Sequence, residues 1–197
     1  MPSNLKPAPP LTEQELIFNL RQGEEPAFKE LVNQFQDKVF NTALGLLQHH
    51  TEAEDIAQEV FIQVFRSIND FKGGSSLSTW IYRITVNRSL DLLRSRKRKK
   101  RFAFLTNLFD NDNIPLHEAR DFDHPGVLQE RKEDAALLFK LVDQLPENQR
   151  TAFILNKIEE LSYREIAAIL NTTEQAVDSL LQRAKQNLRK KINNLPP

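Results

Sequence analysis

From Pro26 to Leu47 the apolar residues Phe28, Leu31, Val32, Phe35, Val39, Phe40, Ala43, Leu44 and Leu47 recur at i, i+3 and i+4 spacing. That is the stripe of a long amphipathic helix, and it commits the chain to packing helix against helix. The same period returns at Ile56, Val60, Phe61, Val64 and Ile68, and again from Trp80 through Ile81, Ile84, Leu90 and Leu93. It appears once more at Leu137, Leu138, Leu141 and Leu145. Only 5 of the 197 residues are glycine, and most of the 10 prolines sit near the ends or between helical stretches. Sheets use more of both residues in their turns. The expected fold class is all-α, built as two small helical domains.

The breaks in periodicity place the boundaries. Thr12 with Glu15 is a possible capping box for a short helix over residues 12–22. Pro26 can open the second helix and Thr51 the third. Phe71 through Ser76, with Gly73 and Gly74 inside it, must be a loop, and Ser78 is expected to cap a fourth helix starting at Thr79. That helix runs into the basic block Arg94 to Arg101. Residues 102–130 lose the pattern and contain the breakers Asp110 to Pro115 and His124-Pro125-Gly126. So long a stretch without structure reads as a linker. Helical patterning resumes near Val127 and stops at Pro146, and three further helices are expected over 147–160, 162–170 and 173–192. The resulting division is a tail and short helix (1–23), a first domain (24–101), an acidic linker (102–130) and a second domain (131–195).

Several function classes drop out. The chain has no cysteine, which removes disulfides and thiolate-bound zinc and suits a reducing cytoplasm. The four histidines, His49, His50, His117 and His124, show no metal-ligand or triad-like spacing. There is no Gly-rich phosphate loop. No enzymatic chemistry, cofactor or metal is therefore expected. Prolines in Met1 to Pro10 interrupt the apolar run that a secretory leader needs, and no apolar stretch is long enough to insert into a membrane. The formal net charge is zero, yet the charges are segregated. Arg94-Ser95-Arg96-Lys97-Arg98-Lys99-Lys100-Arg101 is densely basic, residues 110–123 are acidic, and Arg183, Lys185, Arg189, Lys190 and Lys191 are basic again. The dense basic runs suit a polyanion.

The strongest local signal is Ser162 to Val177. Ser162 and Glu165 form a capping box, Ile166 and Leu170 face inward, and Ala167 is small enough for two helices to cross closely. Asn171 stands at the reversal, and asparagine is the best non-glycine residue for a left-handed turn. Thr172 or Thr173 then caps a second helix whose inward face is Val177, Leu181, Ala184 and Leu188. This is the arrangement of a helix-turn-helix. An ordinary helical hairpin shares the pattern, but the basic tail of the second helix favours contact with phosphates.

The first half is more distinctive. Asp55-Ile56-Ala57-Gln58-Glu59-Val60-Phe61-Ile62-Gln63-Val64-Phe65, then Phe71-Lys72-Gly73, then Thr79 through Asn87, resembles region 2 of bacterial RNA polymerase sigma factors. Leu145 through Arg150, followed by Leu161 through Ala167, resembles their region 4. With no domain between them, the arrangement looks like the extracytoplasmic-function (ECF) group. The resemblance covers about residues 24–100 and 131–192. By themselves Asp55, Gln58, Glu59 and Gln63 are the polar face of the third helix. The resemblance implies that they dock on the clamp helices of the polymerase largest subunit, with the flap as a further contact. Phe61 is expected in the core, and Phe65 is either core or anchor.

The resemblance also implies that the loop and fourth helix open DNA at the −10 element, where an unstacked base must be captured by polar groups and a flat or apolar wall. Ser75, Ser76, Leu77 and Asn87 are the candidates, with Arg83, Arg88 and Arg94 holding phosphates. Many relatives carry an aromatic residue where Leu77 stands. Trp80, at helical spacing with Ile84, is expected in the core. The second helix of the helix-turn-helix is implied to read the −35 element in the major groove through Thr173, Glu174, Gln175, Asp178, Ser179 and Gln182. Arg183, Lys185 and Arg164 would grip the backbone. Asp178 and Leu180 stand where relatives often have basic residues; Asp178 would repel a phosphate or accept from a cytosine amino group.

In relatives the linker threads the polymerase cleft, so Asp110, Asp112, Glu118, Asp121 and Asp123 either mimic RNA phosphates there or fold back on the basic block. The implied partners are core RNA polymerase, double- and single-stranded promoter DNA and an anti-sigma factor. The implied role is promoter-specific transcription initiation in a stress response. A polymerase-binding negative regulator and a stand-alone helix-turn-helix repressor are the alternatives.

Overall fold

The computed structural model describes residues 11–107 and 132–194. Among them the chain forms eight α-helices: α1 (Glu13–Arg21), α2 (Glu25–Leu47), α3 (His50–Ser67), α4 (Leu77–Asn107), α5 (Lys132–Asp143), α6 (Glu147–Lys157), α7 (Tyr163–Leu170) and α8 (Glu174–Asn193). No strand occurs among the described residues. The acidic residues Asp110, Asp112, Glu118, Asp121 and Asp123, and the expected helix start near Val127, lie outside the described residues. Among the described residues, no helix is long and apolar enough to cross a membrane.

Local chemistry explains most of the helix ends. The Thr12 hydroxyl accepts from the Glu15 N–H at 3.3 Å, and the Glu15 carboxylate accepts from the Thr12 N–H at 2.9 Å, closing the capping box of α1. Pro26 falls in the first turn of α2, where its missing N–H costs nothing. His49 caps α3 one residue earlier than expected, its ring accepting from the Glu52 N–H. Ser76, not Ser78, caps α4: its hydroxyl accepts from the Thr79 N–H at 3.1 Å and bonds the Thr79 hydroxyl at 2.9 Å. The start moves because Leu77 is 1% exposed and belongs to the core, which draws the first turn inward. At its other end α4 continues to Asn107, into the stretch expected to be linker. Residues 102–107, Phe102-Ala103-Phe104-Leu105-Thr106-Asn107, contain no proline or glycine, and alanine and leucine are good helix formers, so nothing in the sequence stops the helix at Arg101.

Two cores organise the molecule. The first joins Leu16 and Leu20 of α1 with Leu31, Phe35 and Val39 of α2, Ile56, Val60, Phe61 and Val64 of α3, and Leu77, Ile81 and Ile84 of α4. The second is built from α5 to α8, with Leu141, Val142, Ile154, Leu155, Ile166, Val177, Leu181 and Leu188 at its centre. On α5 the inward face is Phe139, Leu141 and Val142, while Leu137 and Leu138 are exposed. The second core also takes in Leu46, Tyr82, Val86 and Leu90 from the first domain. The last turns of α2, Thr42 to Leu47, are buried on every side, as a helix enclosed by two layers must be.

Polar contacts seal this junction. The Tyr82 hydroxyl donates to the Glu159 carboxylate at 2.9 Å, and the buried Gln48 amide donates to the Phe139 carbonyl at 2.7 Å. Arg83 donates to the Ala168 carbonyl at 2.5 Å, and Arg94 pairs with Glu147 at 2.7 Å.

Burial pushes the Glu159 carboxyl above its usual range, opposed more weakly by the Tyr82 hydrogen bond, Thr42 and Lys38. Such a group binds its proton more tightly in the folded chain. Its contribution to stability is therefore full below the unfolded pKa and lost as pH rises through the folded one. Glu15 and Glu165 act oppositely: hydrogen bonds from Thr12 and Ser162 lower them, so their contribution is lost on acidification. Glu159→Gln is expected to raise Tm at about pH 8 and to leave it unchanged near pH 3, below the unfolded carboxyl pKa. A thermal-unfolding pH series checks this, and a loss of stability at about pH 8 that is absent near pH 3 would show that the junction requires the carboxylate charge.

Candidate nucleic-acid and polymerase interface

The exposed face of α3 carries Asp55, Gln58 and Glu59, continued along the helix by Ile62 and Phe65, which are 50% and 53% exposed. Phe61 is in the core, and Phe65 stands outside it, edge-on to Phe28 at 5.5 Å between ring centres. Asp55 and Glu59 border a cleft of about 380 Å³ that is also lined by Glu52, Arg88, Asp91, Ile56 and Leu92. An ion pair between Arg96 and Glu52 joins α4 to the start of α3 beside it. Gln63 departs from the other three candidates: it is half-buried and accepts from the Arg88 guanidinium at 2.7 Å, which ties it to α4. Ile62 was not singled out from sequence. Its place one turn beyond Gln58 on the polar stripe was the available signal.

A second cleft, of about 340 Å³, opens on α4. Arg83, Asn87, Arg88, Trp80 and Gln63 line it, so the structure gathers three of the expected −10 residues around one aromatic wall. Trp80 is half-buried: it packs on Phe71, 5.1 Å between ring centres, and also borders the cleft. Asn87 and Arg88 are exposed. Ser75 and Ser76 sit on the loop, whose turn is made by Gly73 at φ +73. Leu77 is the correction: its side chain lies in the core, so it offers no surface to a base. Arg83 and Arg94 are engaged by the second domain, and Arg94 bonds Asp91 as well, at 3.3 Å.

The helix-turn-helix forms as its residues dictate. Ser162 and Glu165 close the capping box of α7, and Asn171 adopts the left-handed conformation at φ 51. Thr173 caps α8, accepting from the Ala176 N–H at 3.2 Å. Val177, Leu181, Ala184 and Leu188 are buried, while Leu170, expected inside, is half-buried. Thr173, Glu174, Gln175, Ser179, Gln182, Arg183 and Lys185 are exposed on α8, and Arg164 is exposed on α7. Asp178 is half-buried and accepts from the Gln182 amide at 2.7 Å, so part of its hydrogen-bonding capacity is used within its own helix. A helix with a dry back, a polar front and a basic tail can enter a major groove.

Residues 31–99 match the family model for sigma-70 region 2, and residues 136–188 match that for sigma-70, region 4. The ECF RNA polymerase sigma-E factor of Haemophilus influenzae is 35% identical over 189 residues, 94% of this chain and 97% of its own. The RNA polymerase sigma-H factor of Pseudomonas aeruginosa is 32% identical over 187 residues, 93% of this chain and 95% of its own. Among solved structures, the sigma factor RpoE of Bartonella quintana, in complex with the anti-sigma factor NepR, shares the fold with a TM-score of 0.62 at 24% identity. That likeness covers 86% of this chain and 98% of that one.

Proposed function

The chain belongs to the ECF group of sigma-70 RNA polymerase sigma factors, and on that premise we propose that it directs promoter-specific initiation by bringing core polymerase to paired −10 and −35 elements. The observation that carries this reading is the order and extent of the two matches: region 2 at 31–99 and region 4 at 136–188. Each coincides with a folded unit presenting the surface its role needs. Asp55, Gln58 and Glu59 on α3, with Ile62 and Phe65 beside them, suit a polymerase contact that has a charged rim and an apolar centre. The α4 cleft offers Trp80 as a stacking wall, Asn87 as a base-edge partner and Arg88 for a phosphate. The front of α8, Thr173 to Lys185, suits readout of base edges, with Arg164 and Arg183 on the backbone. None of these surfaces performs chemistry. Initiation here is assembly, and polymerase supplies the catalysis.

The two DNA-reading surfaces gain from being held together on polymerase, since the second contact then forms at high effective concentration. Such a factor works in the cytoplasm. A partner that occupies these surfaces, as an anti-sigma factor accompanies the Bartonella quintana protein, is the expected means of control. Run-off transcription with bacterial core polymerase on a promoter library, with and without this protein, is the test. Start-specific transcripts that require the protein are the expected result and yield its promoter motif. Stable polymerase binding without any transcript would instead establish a negative regulator. DNA binding without polymerase binding would leave a helix-turn-helix repressor.

A further inference from the structure

α1 lies outside the residues matched by the region 2 family model, which begin at 31, yet its two ends grip the two ends of the loop that precedes α4. At its C-terminal end the Arg21 guanidinium donates to the Phe71 carbonyl at 2.5 Å. At its N-terminal end the Glu13 carboxylate accepts from the Leu77 N–H at 3.2 Å. Glu13 and Arg21 are eight residues apart, so the helix holds them about 12 Å from each other along its axis. Phe71 and Leu77 bracket Lys72 through Ser76. The helix thus spans the loop and sets the distance between its ends.

The helix is itself anchored. Leu16 and Leu20 are buried in the first core, and the Thr12–Glu15 capping box fixes the helix start. The gripped residues are equally fixed: Phe71 and Leu77 are buried, and Phe71 packs on Trp80. The Leu77 N–H is one of the donors that a helix start leaves without an intrahelical partner, and a carboxylate there also meets the positive end of the helix dipole. Between these clamps open space surrounds both Gly73 and Gly74, while the Ser76 hydroxyl is held by Thr79 at the start of α4.

We propose that Glu13 and Arg21 are positioning residues for promoter opening: α1 holds the loop at the span in which Ser75 and Ser76 meet the unpaired strand. This rests on the reading of that loop as part of the −10 surface. A loop whose ends are already fixed loses less conformational freedom when it captures DNA, and the gain appears in the opening step.

The test uses the full chain with core polymerase and compares the wild type, Glu13→Ala/Arg21→Ala and Arg21→Lys. Opening is followed by permanganate reactivity of −10 thymines on a duplex promoter, and transcription is compared on the same promoter with a pre-opened mismatched bubble. The double variant is expected to open the duplex about ten- to a hundredfold more slowly. It should bind polymerase normally and transcribe the bubble template within about twofold of wild type, the range of ordinary context effects in such comparisons. Arg21→Lys, which keeps a donor, should recover part of the rate. Opening at the wild-type rate overturns the proposal. An equal loss on both templates, or a loss of polymerase binding, also overturns it, because it assigns the pair to holding the domain together. If the double variant does not fold, Glu13→Ala alone carries the same expectation. A wild-type protein that opens no promoter overturns both this proposal and the reading beneath it, whereas failure of the proposal alone leaves wild-type opening intact.

Discussion

Replacing Asp55 and Glu59 together by alanine is expected to abolish run-off transcription at working concentrations while leaving the fold and the DNA-facing surfaces intact. Both carboxylates are exposed on α3, so their removal creates no cavity, and surface substitutions of this kind usually change stability by no more than about 0.5 kcal/mol. The partner surface loses far more. Truncating charged contacts that become desolvated in an interface costs about 2–5 kcal/mol each, much of it from the partner charge left unpaired. Even 3 kcal/mol for the pair is more than a hundredfold in affinity, at about 1.4 kcal/mol per decade. Titration of labelled core polymerase reads the loss directly. Ile62→Ala and Phe65→Ala should each weaken the same complex by a smaller factor, because they remove apolar area beside the charges. Polymerase binding unchanged in the double variant would move the docking surface off this face of α3.

Most of the fold was legible because helix ends and apolar stripes are local. Ser162 with Glu165, and Thr173, announce the helix-turn-helix from side chains that satisfy backbone groups within three residues of themselves, and Asn171 from its tolerance of the left-handed turn, so no tertiary knowledge is needed. The errors fall where tertiary contact decides. Ser76 displaces Ser78 as the cap of α4 because Leu77 is drawn into the core. The end of α4 is the exception: the helix runs past the basic block to Asn107, because no proline or glycine interrupts residues 102–107. The candidate site divides in the same way. Residues named for the outer face of α8 are exposed except Asp178, which is half-buried, since period largely fixes which side of a helix faces out. Leu77 and Gln63 are not free, because what they meet lies on α1 or α4. The junction between domains left almost no trace in sequence: Gln48, Tyr82 and Glu159 each read as an ordinary helix residue, and only their pairing across about 80 residues (77 for Tyr82 and Glu159) gives them meaning.

One residue did signal the junction. A glycine in a helix interior costs about 0.5–1 kcal/mol relative to alanine, and Gly45 stands inside α2 with no turn to make. A Cβ placed there would lie 3.0 Å from Ile154 Cγ2 and 3.7 Å from both Cγ1 and Cδ1. Ile154 is completely buried and cannot retreat. Gly45→Leu therefore acts as a wedge between α2 and α6. Overpacking of about 1–3 kcal/mol falls on the junction, because the contact crosses from one domain to the other. The expected result is a chain whose two domains keep their own helices but part from each other, seen as a larger radius of gyration by small-angle scattering. Parting has a consequence for DNA. In the closed arrangement Arg83 is bound to the Ala168 carbonyl and Arg94 to Glu147, so two expected phosphate contacts are occupied within the protein. Freeing both should strengthen binding of the isolated protein to promoter duplex and steepen the dependence of log K on log salt by about 2, since each phosphate contact contributes about 0.9. Wild-type and Gly45→Leu proteins titrated at several salt concentrations test it. A parted chain with an unchanged salt slope would mean that Arg83 and Arg94 do not reach phosphates even when free. An unchanged radius would mean that α2 and α6 accommodate the side chain, and that the glycine is not what lets the domains close.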